Sequence, residues 1–162
     1  MEIAIRRLSN DREARQCAAM MAATEPWLTL GRGFEECLAA VADPEREVSV
    51  AHDGTDVRGF IILNMRGAFI GYIQTVCVDA AARGSGIGTS LVGFAERRIF
   101  AETPNVFLCV SSFNPRARAL YERLGYERIG EIKDYLIAGA SEFLMRKTIG
   151  PLRTNPPSGS GG

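Results

Sequence analysis

The chain has 162 residues, 46% apolar and 23% charged, which is ordinary globular usage and enough for one domain with a sizeable core. Nineteen basic residues balance nineteen acidic ones, so no global field draws the protein to nucleic acid or to an anionic membrane surface. The longest apolar runs, such as Gly59 to Leu63, fall far short of the roughly eighteen residues that span a bilayer. Met1-Glu2-Ile3-Ala4-Ile5-Arg6 also lacks a signal peptide's basic-then-apolar layout, so a cytoplasmic protein is expected, with neither membrane nor nucleic acid as partner.

Ile3 and Ile5 alternate with polar neighbours as in a half-buried first strand, and Ala14, Cys17, Ala18 and Met21 then follow helical spacing over Asp11 to Ala23. Thr24-Glu25-Pro26-Trp27 interrupts that helix, and Phe34, Leu38 and Val41 mark a second one ending before Asp43-Pro44. Val48 to Ala51 and Val57 to Leu63 read as strands joined by a turn around Asp53-Gly54. Beyond Gly67, Phe69 to Asp79 is a further strand, long enough at about eleven residues that a bulge or bend is expected within it.

Ile87, Leu91, Phe94, Ala95 and Ile99 form one apolar helical stripe, and Phe107 to Ser112 is a strand of the fully buried type. Asn114-Pro115 supplies a favoured cap and a favoured first residue for a helix whose inner face carries Ala117, Leu120, Tyr121 and Leu124 and which ends at Gly125. Tyr126 to Ile132 and Phe143 to Thr148 close the sheet. The order β-α-α-β-β-β-α-β-α-β-β predicts a single α/β (α+β) domain over residues 1–149 with a mixed sheet of about seven strands. Residues 150–162, rich in Pro, Gly and Ser, read as a flexible tail. The four cysteines, Cys17, Cys37, Cys77 and Cys109, are scattered without a CxxC pair, which predicts reduced, mostly buried thiols and no metal site.

The stretch most suggestive of chemistry is Gln74 to Leu91, where a strand runs through a glycine-rich turn into a helix. Such a junction presents unpaired backbone N–H groups, reinforced by the helix dipole, to an anion. A dinucleotide fingerprint requires GxGxxG near the first strand and an acid about twenty residues on. Here the glycines read GxGxG, midway along the chain, and the next strand ends Val110-Ser111-Ser112 without an acid. A Walker loop needs Gly-Lys-Ser/Thr, which the chain lacks. A plain tight turn would need fewer glycines than Gly84, Gly86 and Gly88.

The remaining reading is RxxGxG, Arg83 to Gly88, directly after Val76-Cys77-Val78-Asp79. This segment resembles motif A of the GNAT superfamily of acetyl-CoA-dependent N-acetyltransferases. Asn114, Ala117, Leu120, Tyr121, Gly125 and Tyr126 resemble its motif B, and the resemblance spans residues 3 to about 148. It is nearest in pattern to the branch that acetylates N-terminal α-amines of proteins, ribosomal-protein alanine among them. It implies the GNAT fold and acetyl-CoA as cosubstrate. The backbone of Gly84, Ser85, Gly86, Ile87, Gly88 and Thr89, helped by Arg83, would wrap the coenzyme pyrophosphate, with Asn114 and the backbone of Val76, Cys77 and Val78 along the pantetheine arm. Arg116, Arg118 and Arg123 are candidates for the adenosine phosphates. The expected gap for the arm opens beside Phe107 to Ser112.

Acetyl would pass directly to a primary amine through a tetrahedral intermediate, with the Val78 N–H as oxyanion donor and Tyr121 as acid toward the leaving thiolate. The acceptor, a peptide N-terminus or a small-molecule amine, is expected between the first two helices and the last hairpin, with Trp27, Tyr72, Gln74, Tyr135 and Glu142 as candidate walls. Glu25, Glu35, Glu36, Lys133 and Asp134 fall in the same two regions. The family's frequent glutamate five residues before the Asn is Cys109 here. Deprotonation is therefore expected through ordered water along Gln74, Tyr72 or Glu142. A non-catalytic acetyl-CoA-binding module is the alternative, and a monomer or homodimer is expected.

Overall fold

The computed structural model describes residues 2–154. The elements are β1 (Ala4–Arg7), α1 (Asp11–Ala22), α2 (Phe34–Val41), β2 (Glu47–His52), β3 (Val57–Asn64), β4 (Tyr72–Val78), a 3-10 turn (Ala80–Ala82), α3 (Ile87–Phe100), β5 (Asn105–Ser111), α4 (Pro115–Arg123), β6 (Glu127–Lys133) and β7 (Ser141–Thr148). Seven strands form one sheet in the order β1-β2-β3-β4-β5-β7-β6, and only β4 and β5 run parallel. This is the mixed sheet the sequence predicts.

Local chemistry explains the boundaries. Asn10 caps α1 by accepting the Glu13 N–H at 2.9 Å, and Glu13 reaches back to the Ser9 N–H at 3.0 Å, a variant of the reciprocal capping box. Arg6 of β1 donates to the same carboxylate at 2.6 Å, which holds the Glu13 carboxyl down at about 2 despite its burial and ties β1 to α1. The turn after β2 is longer than the two-residue Asp53-Gly54 signal suggests. It occupies residues 53–56 because the Asp53 carboxylate accepts the N–H groups of both Thr55 and Asp56 at 2.8 Å.

The strand expected over Phe69 to Asp79 starts later, at Tyr72. Residues 66–71 bend instead, and the Gly71 carbonyl accepts the Phe107 N–H at 3.0 Å, which pins the start of β4 to β5. The expected bulge is present. Ile62 faces Thr75 but Leu63 faces Ile73, leaving Gln74 as the extra residue on β4.

Both faces of the central strands are buried. Ile61 and Leu63 of β3 join Leu91, Val92, Ala95 and Ile99 of α3 in one cluster, while Phe60 and Ile62 join Ala14, Cys17, Met21, Cys37 and Val41 of α1 and α2 in the other. Each wholly buried aliphatic side chain contributes about 1.5–3 kcal/mol of transfer free energy, so α3 is held by its stripe rather than by propensity. Of the tail expected over 150–162, residues 155–162 lie outside the described residues, and Pro151 to Thr154 are exposed without helix or strand.

Helix α3 comes close to the sheet at Gly59 of β3. A Cβ built there would lie 2.9 Å from the Cys77 carbonyl oxygen and 3.0 Å from Ile87. Neither a paired backbone oxygen nor a core side chain can yield cheaply, so Gly59→Ala is expected to cost about 1–3 kcal/mol. The check is urea denaturation; an unchanged midpoint would show that the β3–α3 spacing is slack.

Candidate active site

The parallel pairing of β4 with β5 lasts two residue pairs, Tyr72 with Phe107 and Ile73 with Leu108. The Gln74 bulge follows immediately, and the strands part. On its other side β4 stays paired to β3, and the Asp79 N–H donates to the Arg58 carbonyl at 2.8 Å. Antiparallel pairing alternates, so the N–H and C=O of Val76 and Val78 turn into the gap while those of Cys77 face Phe60. The backbone N–H and C=O of Cys77 belong to the β3 ladder, and its side chain is buried in the cluster with Cys17, Met21 and Cys37.

Two cavities flank the gap. The larger, about 900 Å3, runs from Val76, Cys77 and Val78 past Arg83, Gly84, Gly86, Ile87, Gly88 and Thr89 to Arg116 and Arg123 of α4. The smaller, about 210 Å3, lies between the α1–α2 connection and the β6–β7 loop, over β4, β5 and β7. They share Val76, Asn114 and Ala117 as a common wall.

Gly86 is the N-cap of α3, at φ 85°, and no side chain caps the helix. The first helical bond is Ser90 N–H to the Gly86 carbonyl, so the N–H groups of Ile87, Gly88 and Thr89 stand without intrahelical partners beside the larger cavity. A Cβ at Gly86 would meet no protein atom, so the glycine is required by the left-handed backbone and leaves open space before those donors. Ser85 differs from its neighbours, because its hydroxyl donates back to the Ala82 carbonyl and its side chain does not line the cavity. Arg118 likewise turns away, pairing with Glu122 at 2.9 Å.

Asn114 caps α4 through a bond from the Ala117 N–H at 3.4 Å and borders both cavities. Tyr121, about two turns on from Asn114, lines the smaller cavity and packs edge-on against Tyr126 at 5.8 Å. Burial pushes its phenol well above the ordinary tyrosine range, so it keeps its proton.

All five expected acceptor residues, Trp27, Tyr72, Gln74, Tyr135 and Glu142, line the smaller cavity. Gln74 sits at its edge, accepting from Arg46 at 2.8 Å. Cys109 is there too, its thiol raised by burial and partly offset by Tyr72, so it stays a neutral thiol. Glu142 is 7% exposed and lies opposite Ser111 in the β5–β7 pairing. Burial raises its carboxyl pKa, with Ser111 and Arg32 partly opposing. Glu25 lines the larger cavity instead, whereas Glu35, Glu36, Lys133 and Asp134 line neither. Arg32 and Ser111 were not anticipated. Arg32 could have been read from its place between Gly31 and Gly33 in the connection expected to grip the acceptor. Among the described residues no group of three or more His, Cys, Asp or Glu is placed to hold a metal ion.

The sequence profile of the Acetyltransferase (GNAT) family matches residues 10–126, which contain the split strand pair and the uncapped helix start. The N-alpha-acetyltransferase RimI of Mycobacterium tuberculosis is 30% identical over 146 residues, 85% of this chain and 88% of that protein. The chain belongs to the GNAT acetyltransferase family. Blasticidin-S acetyltransferase of Streptomyces morookaense is 30% identical over 90 residues, 51% of this chain and 66% of that one, and a match to an uncharacterised Mycobacterium leprae protein spans 21% of its partner. Among solved structures, an aminoglycoside 6'-N-acetyltransferase complexed with coenzyme A superposes with a TM-score of 0.75 at 20% identity, covering 96% of this chain and all of that one. The Enterococcus faecium aminoglycoside 6'-N-acetyltransferase gives 0.71 at 22% identity over 96% of this chain. At these identities the structures establish the fold.

A methyl group at Gly86 forces an L-residue into the left-handed region, at about 1–2 kcal/mol, and projects into the space before the free N–H groups. Gly86→Ala is expected to weaken coenzyme A binding about tenfold or more by calorimetry. Unaltered affinity would move the pyrophosphate away from α3.

Proposed function

We propose that the protein transfers acetyl from acetyl-CoA directly to a primary amine, with the larger cavity holding the coenzyme and the smaller one the amine. The observation carrying this reading is their meeting at Val76, Asn114 and Ala117, beside the gap-facing N–H of Val78. The residues present fit the coenzyme. Uncapped N–H groups and Arg83 suit a pyrophosphate, Arg116 and Arg123 suit further phosphates, and the unpaired edge of β4 suits an amide-bearing arm. Acetyl-CoA bound there supplies an activated thioester. The Val78 N–H stabilises charge developing on the thioester oxygen, as a fixed donor that needs no reorganisation.

The proton route falls to Glu142. The carboxylate missing at Cys109 is supplied from the adjacent strand: Cys109 pairs with Leu144, and Glu142, two residues earlier on β7, is its diagonal neighbour on the same face. Glu142 takes one proton from the ammonium, directly or through water, and the freed amine attacks. The N–C bond forms and the C–S bond breaks. Tyr121 gives its proton to the departing sulfur and recovers one from the acylated nitrogen, so one proton is released overall. A raised carboxyl pKa brings Glu142 nearer to the amine it must deprotonate. A binding module would have no use for an acid and a base lining the same cavity.

Tyr121→Phe is expected to lower kcat on the order of 100-fold with coenzyme affinity nearly unchanged, measured by thiol release and calorimetry. An undiminished kcat would remove the phenol from the reaction. Glu142 works only as the carboxylate, so kcat/KM rises with pH through its elevated pKa. Glu142→Gln should lose that acidic limb along with about 100-fold or more in rate. If the limb persists in the variant, another group carries the proton.

A further inference from the structure

The charges lining the smaller cavity are one of each sign, Glu142 on β7 and Arg32 on the α1–α2 connection. Neither side chain has an ion-pair partner among the described residues, although fourteen other pairs form over the surface and core edges of the same molecule. The two are not paired with each other either. Arg32 lies near enough to Glu142 to oppose, less than Ser111 does, the rise that burial causes in its carboxyl. Two opposite, unneutralised charges across a small cavity are complementary to a ligand that carries both charges in the reverse order.

The rest of the wall narrows the class. Trp27, 8% exposed, and Tyr72 and Tyr135 are aromatic, and Gln74 is already engaged by Arg46. A polyamine or aminosugar would need several acids and here meets one, together with an arginine that repels it. A peptide N-terminus continues as a neutral amide and would leave Arg32 without a partner. We propose that the acceptor is a small zwitterion, an α-amino acid or close analogue with an apolar or aromatic side chain, its ammonium on Glu142 and its carboxylate on Arg32. This rests on reading the smaller cavity as the acceptor side of the transferase. During transfer the carboxylate stays on Arg32 and is unchanged, while the amine nitrogen loses a proton to Glu142 and gains the acetyl carbon.

The test is thiol release from acetyl-CoA with matched acceptors: free apolar and aromatic α-amino acids, their carboxamides, dipeptides beginning with the same residues, and an aminoglycoside. The free acids should show kcat/KM roughly 30-fold or more above their amides. Arg32→Ala, a change at an exposed loop position, should raise KM for the acids far more than it lowers kcat and bring the acid-to-amide ratio near one, with Arg32→Lys restoring part of it. A preference for dipeptides or the aminoglycoside, or an equal loss on acid and amide in Arg32→Ala, overturns the zwitterion and leaves acetyl transfer to an amine standing. Absence of turnover with every amine, with coenzyme A still bound, overturns both.

Discussion

Everything in the site depends on where the sheet stops being a sheet. Backbone N–H and C=O groups at the centre of a sheet are normally satisfied on both sides, and leaving them unpaired in a dry interior costs about 1–3 kcal/mol each. Here β4 stays paired to β3 along its length apart from the bulge at Gln74, but keeps only two residue pairs to β5, and the strands part at that bulge. The cost is met by opening the gap to cavities on both sides, where water or a ligand reaches Val76 and Val78. An extended, amide-bearing ligand finds there a strand's worth of vacant partners already held in register.

The remaining parts follow from that opening. Parting the strands carries β5 away from β4, and α4, which follows β5, then overhangs the gap with Asn114 and Tyr121 on its near side. The same β4 runs on through the 3-10 turn into α3, whose first N–H groups no side chain caps. The gap-facing edge of β4 and the uncapped start of α3 thus lie on one continuous piece of chain, braced by the close contact of Gly59 with α3. Buried Tyr121 stays protonated and buried Glu142 is pulled toward neutrality by the same desolvation, acting on two groups of different ordinary pKa.

Much of this was legible in the sequence because it is written in local pattern. The glycines after Val78, the cap Asn114-Pro115 and the apolar stripes specify turns and helices within a few residues of themselves, and the over-long β4 announced its bulge. What failed locally failed for tertiary reasons. Phe69 to Gly71 have strand-like neighbours but are turned aside by the bond from Phe107 to Gly71. Cys77 borders the larger cavity, while its backbone N–H and C=O fall on the β3 side of the alternation. The partnership of Glu142 with Cys109 depends on β7 inserting between β5 and β6, an order the chain does not spell out. Arg32 sits in an irregular connection with no periodicity to mark it.

The placement of the acid on β7 has a mechanical consequence. The strands fall into two blades, β1 to β4 and β5-β7-β6, hinged on two residue pairs. Glu142 belongs to one blade, Arg32 to the connection riding on the other. A molecule gripped at both ends would act as a clasp across the slit, drawing the blades into alignment when the second reactant arrives. Order of assembly, rather than the resting shape alone, would then set when the proposed proton acceptor meets the amine nitrogen and the proposed Val78 donor meets the thioester oxygen.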